Sequence, residues 1–480
     1  MKINFGGVRE EVVTREEFSI SRDREILKDT TIAVIGYGVQ GPAQAMNMRD
    51  NGLKVIVGQS NKPRQREYWK KAIRDGWVPG ETLFSVEEAA DRGVIIQYLV
   101  SDAAQKALWP EIKPHLTRGK ALYFSHGFSI AFSDQTGVVP PKNVDVIMVA
   151  PKGPGGSVRT NFLEGRGINA SFAVEQDATG RALERTIALG MGIGSGYLFR
   201  TTFRNEVLSD LVGERGGLLG DLCALAEASY LDERSEGFDP VQAFIRSSEQ
   251  LTQVIIPIIG REGADGIYRR AKAAGKLEKV LGYQNAARDA VIPLMERLYN
   301  SVASGDETAV VLRANSVPDY KPRLDAELAE LDGSEMWQAG KRVRKSGIDR
   351  NYGNKIKNFE LAGALLGIME AQYELFIRKG HSPSEAFNET VEELTEGLNR
   401  IYQASGVAGL IGKCSTTAQR GALDWNPKFY RALAPVLTGQ VKYSQRKRVG
   451  KNYTTIRGDI PNIWVVGEAV RALRPENRKK

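Results

Sequence analysis

The chain has 480 residues, 42% hydrophobic and 26% charged with 50 glycines, which suits a folded enzyme of two or three domains and is too much for one compact core. Its formal charge of +8 is spread along the chain, and only KYSQRKRVGK at 442–451 is dense, so a basic stripe for nucleic acid is not indicated. No apolar run reaches the roughly 18 residues of a membrane span, MKINFGGVREEVV lacks the marks of a secretory or transit peptide, and two cysteines, Cys223 and Cys414, make no disulfide framework.

These bounds predict a cytoplasmic protein acting on small molecules, without nucleic-acid or membrane partners. In chain order, residues 1–30 read as a polar lead-in with a short helix. An apolar strand follows at 31–35, then Gly36, Gly38 and Gly41 in G-x-G-x-x-G spacing, with Ala43, Ala45 and Met46 opening a helix directly after. Strand before and helix after is the context in which this spacing means a dinucleotide site: the glycines let backbone approach a pyrophosphate at the helix N-terminus. The loop Gly36–Gly41, with Tyr37, Val39 and Gln40 inside it, is therefore a candidate cofactor loop. A second strand at 53–58 completes the βαβ unit. Beyond it, GQSNKPRQREYWKK has no acid before Glu67 but carries Gln59, Ser60, Lys62, Arg64 and Arg66. An acid there would favour the free ribose of NAD; cations favour a 2′-phosphate, hence NADP(H).

Strands at 94–100, 121–126, 144–153 and 168–177 alternate with helical stretches and predict a doubly wound parallel sheet. Ligands in such sheets lie at the carboxyl ends of strands. Asp102, His126 and Lys152 fall at or just beyond three such ends, and Lys152 opens the glycine-rich PKGPGG loop that includes Gly155.

From about residue 200 helical periodicity replaces strands. In EVLSDLVGERGGLLG (206–220), Asp210 and Glu214 stand four apart on one helix face among leucines and valines. Carboxylates buried in such surroundings need a partner, and hard acids suit Mg²⁺. A shift of 143 positions aligns 218–252 with 361–395 at 13 identities in 35 positions, so a helical unit has been duplicated. Where the second copy carries Glu389 and Glu393, the first has Arg246 and Gln250; extended backwards, the same register places Asp210 and Glu214 over Gly353 and Lys357. Each half holds one acidic pair and lacks the other, which predicts one composite site for two Mg²⁺. The hydroxyl-rich turn CSTTAQRG follows, with Ser415, Thr416 and Thr417 suited either to an oxyacid or to capping a helix; Cys414 reads as a small buried residue. The tail from about 440 reads as basic and mobile at its last residues.

GYGVQGPAQAMNMRD, SHGF, VAPKGPGGSVR, SDLVGERGGLLG, NETVEEL and CSTTAQRG together resemble ketol-acid reductoisomerase, in order from about residue 30 to near the C-terminus, and most closely its long, plant-type class II form. The resemblance implies a Rossmann domain (1–200) followed by an all-α, internally duplicated, knotted domain (201–480, repeats about 201–342 and 343–480). It implies NADPH and two Mg²⁺, with Asp210 shared between the ions, Glu214 on one, and Glu389 and Glu393 at the other. It places Ser415 against the substrate carboxylate and His126 and Lys152 at the reacting centre, with Glu393 counted among the catalytic groups. The base for the first step stays open between a metal-bound water or hydroxide and one of the glutamates. The family usually has Arg early in the loop after the second strand; Gln59 departs from that. A homo-oligomer, dimer or tetramer, is expected. The competing readings are a metal-free β-hydroxyacid dehydrogenase, which gives the complementary acidic pairs no purpose, and a nucleotide-sensing nucleic-acid binder, which needs a basic stripe that only 442–451 hints at.

Overall fold

Parallel strands buried on both faces need continuous apolar sequence, and the central strands supply it: IAVI (β3, Ile32–Ile35), VIVG (β4, Val55–Gly58), IIQY (β6, Ile95–Tyr98) and ALYF (β7, Ala121–Phe124) are buried at every residue. The computed structural model describes residues 1–440 and 460–478. With β5 (Leu83–Phe84) and β8 (Asp145–Pro151), these strands run in the order β5-β4-β3-β6-β7-β8, all parallel. Strand order reverses between β3 and β6, and a dinucleotide crevice opens at such a reversal.

The sheet continues beyond this parallel core. β9 (Ala170–Gln176) pairs antiparallel with β8, and β10 (Tyr197–Arg200) runs parallel to β9. The predicted polar lead-in is corrected here: besides a helix at Ile20–Ile26, it holds an edge hairpin, β1 (Lys2–Phe5) and β2 (Val8–Thr14), with β2 antiparallel to β10. Its two-residue turn is Gly6-Gly7, both at positive φ, the conformation a tight hairpin requires.

From residue 203 on, the described elements are all helices, and the duplication is visible as geometry. The first copy runs through helices Gly220–Ser235 and Pro240–Phe244, a π-helix Ile245–Ile255, and helices Ile256–Ala273 and Leu277–Ser304. The second repeats this as Phe359–Arg378, Pro383–Phe387, a π-helix Asn388–Leu398, Asn399–Ile411 and Thr416–Leu437. The kinks correspond too: Gly263 (φ 64°, ψ −164°) and Gly406 (φ 71°, ψ −172°) hold conformations that only glycine adopts freely. The copies interlock. Helix 359–378 packs on 277–304 so closely that a Cβ on Gly363 or Gly367 would meet the carbonyl of Val280 or Gln284, and helix 220–235 packs on 416–437. Both sets of helices share one hydrophobic core.

One expectation fails in this half. Gly353 and Lys357 lie in a non-helical connection before helix 359–378, so the backward register stops being structural before it reaches them. Within the tail, helix Ile463–Leu473 packs on β1 and Arg474 is buried in an ion pair with Glu392; the last two residues lie outside the described residues. The basic cluster at 442–451 lies outside the described residues.

Candidate active site

At the end of β3 the glycine turn is as tight as its spacing implies. Gly36 has φ 100°, with no room for a Cβ beside Val100, and a Cβ on Gly41 would strike the Gly36 carbonyl. Gly38 has open space, which a phosphate could use. Gly155 presses on the Val39 carbonyl, and Gln40 donates from Nε2 to the Gly153 carbonyl at 3.0 Å. The two glycine loops thus meet, bringing the crevice beside Lys152.

Gln59 turns inward: its Oε1 accepts from the Tyr37 N–H at 2.8 Å, and it is buried. The Tyr37 ring is buried as well, its hydroxyl between Asp75 and the Trp77 indole. Gln59 and Tyr37 therefore brace the turn from behind, while Lys62, Arg64 and Arg66 remain exposed around the end of β4 and Ser60 sits half-buried.

Helix Phe203–Arg215 is capped by Thr202, whose side chain accepts from the Asn205 N–H. Glu206, Asp210 and Glu214 recur along it every four residues, one side of three successive turns. It crosses the π-helix 388–398 at Gly213, where a Cβ would lie 3.2 Å from the Glu389 carbonyl. That crossing converges the two acidic pairs from the two copies. One ligand atom each from Asp210, Glu389 and Glu393 lie within 4.8 Å of one another, and so do atoms of His126, Glu206 and Asp210. Asp210 belongs to both groups. Glu214, one turn on, belongs to neither; its Oε2 is buried without a hydrogen-bond partner.

Glu206 was not singled out in the sequence. It accepts from the Gly127 N–H at 2.6 Å, lies 3.1 Å from His126 Nδ1 and receives Lys152 Nζ at 3.3 Å. Burial works against its charge, but Lys152 and His126 outweigh it and hold the carboxyl down at about 2. Lys152 also meets Glu389 Oε1 at 2.5 Å. Burial alone would lower the Lys152 pKa; Glu389, Glu206 and Asp210 raise it well above the ordinary lysine range. His126 is likewise pushed up, burial being overcome by Glu206 and Asp210. The signal in the sequence was the four-residue period itself, which runs back one turn from Asp210.

The remaining acids are crowded. Burial raises Asp210, raises Glu389 to about 8, and raises Glu214 and Glu393 well above the usual range, with neighbouring acids adding to each shift. Five carboxylates here face Lys152 and His126, with Arg215, already paired with Glu307, 3.9 Å from Glu214, and Glu214, Glu389 and Glu393 each keep a buried oxygen without a hydrogen-bond partner. Excess negative charge and orphaned hard donors are what divalent oxygen-loving cations relieve, so the donor set fits Mg²⁺.

Ser415 caps helix 416–437, its Oγ accepting from the Ala418 N–H at 3.0 Å. Beside it Thr417 donates to Asp102 at 2.6 Å, tying the helical half to the end of β6. Asp102 is thus engaged with the helical half as well as standing at the crevice.

A dinucleotide crevice whose strand ends are closed by a carboxylate-bearing helical unit is the architecture of a Rossmann-type oxidoreductase with a helical second domain. The chain belongs to the ketol-acid reductoisomerase family. Residues 26–197 match the acetohydroxy acid isomeroreductase NADPH-binding domain, and 203–347 and 359–476 both match the ketol-acid reductoisomerase C-terminal domain. The NAD(+) ketol-acid reductoisomerase of Desulfosudis oleivorans is 55% identical over 342 residues, 96% of its length but 71% of this chain. The chloroplastic enzyme of Pisum sativum is 35% identical over 411 residues, covering 83% of this chain and 70% of its own. A solved NADH-preferring ketol-acid reductoisomerase from an uncultured archean superposes with a TM-score of 0.59 at 29% identity, covering 71% of this chain and all of its own.

Proposed function

We propose that this chain converts 2-acetolactate to 2,3-dihydroxyisovalerate, and 2-aceto-2-hydroxybutyrate to 2,3-dihydroxy-3-methylvalerate, in the biosynthesis of branched-chain amino acids, with two Mg²⁺ and NADPH. The carrying observation is that Asp210 belongs to two ligand clusters at the mouth of the dinucleotide crevice. When bound, the metals supply Lewis acidity at the substrate's hydroxyl and carbonyl oxygens for alkyl migration, and the reduced nicotinamide supplies hydride. Asp210 would hold both ions, Glu214 one, and Glu389 and Glu393 the other. Lys152 Nζ keeps its proton between Glu206 and Glu389 and presents a fixed positive charge to developing oxyanions. Glu206 stays ionised and pins the His126 loop through the Gly127 N–H. Ser415 Oγ accepts from Ala418, which leaves its own proton free to donate to a substrate carboxylate. The Thr417–Asp102 bond helps close the helical half over the crevice and exclude water.

NADPH is favoured by Lys62, Arg64 and Arg66, with no acid between Gln59 and Arg66. A second reading, NADH, is favoured by Gln59, which faces the glycine turn and leaves the first position of the loop without a cation. The proposal includes a cytoplasmic location, which the free thiols of Cys223 and Cys414 suit, and assembly as a homo-oligomer. No helix among the described residues is long and apolar enough to cross a membrane.

The test is oxidation of NADPH with 2-acetolactate, with Mg²⁺ or EDTA, repeated with NADH. Magnesium-dependent turnover favouring NADPH supports the whole reading. Faster turnover with NADH replaces the cofactor assignment and leaves the reaction. Turnover undiminished by EDTA removes the metal assignment.

A further inference from the structure

The π-helix 388–398 repeats 245–255 in register, so positions that differ between them separate what the fold needs from what the site needs. Of the eight differing positions, three gain an acid in the second copy, at 389, 393 and 396, and one loses its side chain altogether. Position 397 is glycine in the second copy, and its equivalent, Val254, is buried in the helical core. A Cβ on Gly397 would stand 3.3 Å from the Gly153 Cα and 3.3 Å from the Lys152 carbonyl oxygen, and one on Gly153 would stand 3.5 Å from the Gly397 Cα. Two backbones therefore touch with no side chain between them. The contact is bonded as well: Ser157 Oγ donates to the Gly397 carbonyl at 2.5 Å, and Asn161 Nδ2 to the Glu396 carbonyl at 3.5 Å. From this seat the Lys152 side chain reaches Glu389, two π-turns back on the same helix, and Glu206 on helix 203–215.

We infer that Gly397 is a positioning residue: its missing side chain sets the distance between the Lys152 loop and the π-helix, and with it where the Lys152 ammonium stands. The inference rests on the role of Lys152 in the proposed function. An alanine at 397 pushes the 152–153 backbone away by a few tenths of an ångström, and a valine, the first copy's residue, pushes it further.

The experiment measures kcat, cofactor affinity by fluorescence and Tm for Gly397→Ala and Gly397→Val, alone and in a Lys152→Met background. The expected result is a fall in kcat of about 5- to 20-fold for alanine and more than about 100-fold for valine, the scale on which misplaced catalytic groups cost rate. Cofactor affinity should hold, and Tm should hold or rise for alanine, which favours a helix more than glycine does. In the Lys152→Met background the alanine should cost less than about twofold, because nothing remains to be positioned. The reciprocal Val254→Gly should lower Tm and leave kcat unchanged. Full activity in Gly397→Ala overturns the inference, whether or not the valine variant folds. So does an undiminished effect of Gly397→Ala in the Lys152→Met background. Full activity of Lys152→Met itself would instead strike at the role given to Lys152 above.

Discussion

Residues 245–255 and 388–398 form the same eleven-residue π-helix, each followed by a helix kinked at a glycine, yet the first carries Arg246 and Gln250 where the second carries Glu389 and Glu393. The surroundings explain the divergence. The second π-helix lies under helix 203–215 and the Lys152 loop, so its acids find Asp210 and Lys152. The first faces the connection 346–358: Gln250 Oε1 accepts from the Lys357 N–H, and Arg246 pairs with Glu233. π-Helices are often read as marks of function; here the π form belongs to the repeated scaffold, since the copy without acids has it too.

What the copies share is framework. Glu249 and Glu392 correspond, and each holds an arginine from a later segment, Arg350 and Arg474 respectively. Phe244 and Phe387 each close on a glycine, Gly340 and Gly467, within the motif W-x-x-G-x-x-V-R at 337–344 and 464–471. These later pairs are offset by less than 143, so a search at one register ends before them.

The largest effect expected from this asymmetry is at Asp210. Asp210→Asn should lower both isomerisation and reduction by more than about 10³-fold, since a carboxylate common to two clusters cannot be replaced by one neighbour; isomerisation retained at more than a tenth of the normal rate would refute the shared role. Next, Glu389→Gln should remove most activity, whereas Arg246→Ala, at the equivalent position, should keep kcat and cost about 1 kcal/mol of stability. Comparable losses of kcat in the two would erase the distinction between the copies. Gly263→Ala and Gly406→Ala should each destabilise by roughly 1–3 kcal/mol, similarly in both, as read by denaturant titration; a large inequality would mean the kinks are not equivalent. Arg66→Ala should raise KM for NADPH several-fold more than for NADH, and equal changes would remove Arg66 from a 2′-phosphate site.

The smallest effect concerns Glu227 and Glu370, another equivalent pair. Burial raises both, Glu370 from 4.5 to about 7. Across that window the unfolded chain releases the Glu370 proton while the folded chain keeps it, so this group costs stability progressively as pH rises from about 4.5 to 7. Glu370→Gln should flatten the corresponding fall in Tm. Glu227→Gln, at a half-buried site, should flatten it less, and an unchanged pH profile in Glu370→Gln would place the titration elsewhere.

The glycine turn, the parallel strands, the acidic pairs and the duplication were legible because each is a local or periodic signal: fixed spacings, apolar runs, period four, a constant shift. The hairpin turn at Gly6-Gly7 was missed, because the charged alternation of VREEVVT disguised an edge strand that pairs with β10, nearly two hundred residues away. Glu206 shared the period of Asp210, but its importance lies in Gly127, His126 and Lys152, which come from other elements.

By itself, the sequence determined which residues could bind a dinucleotide and a hard cation, because those capacities reside in side-chain chemistry and short-range backbone geometry. Only the tertiary structure decided that Glu206 joins Lys152 and His126 beside Asp210, that Gln59 turns inward, and that Gly353 and Lys357 have no part in the helical repeat. Those outcomes depend on how two interlocked helical copies bury one another's faces, and contacts between residues far apart in the chain leave no spacing to read.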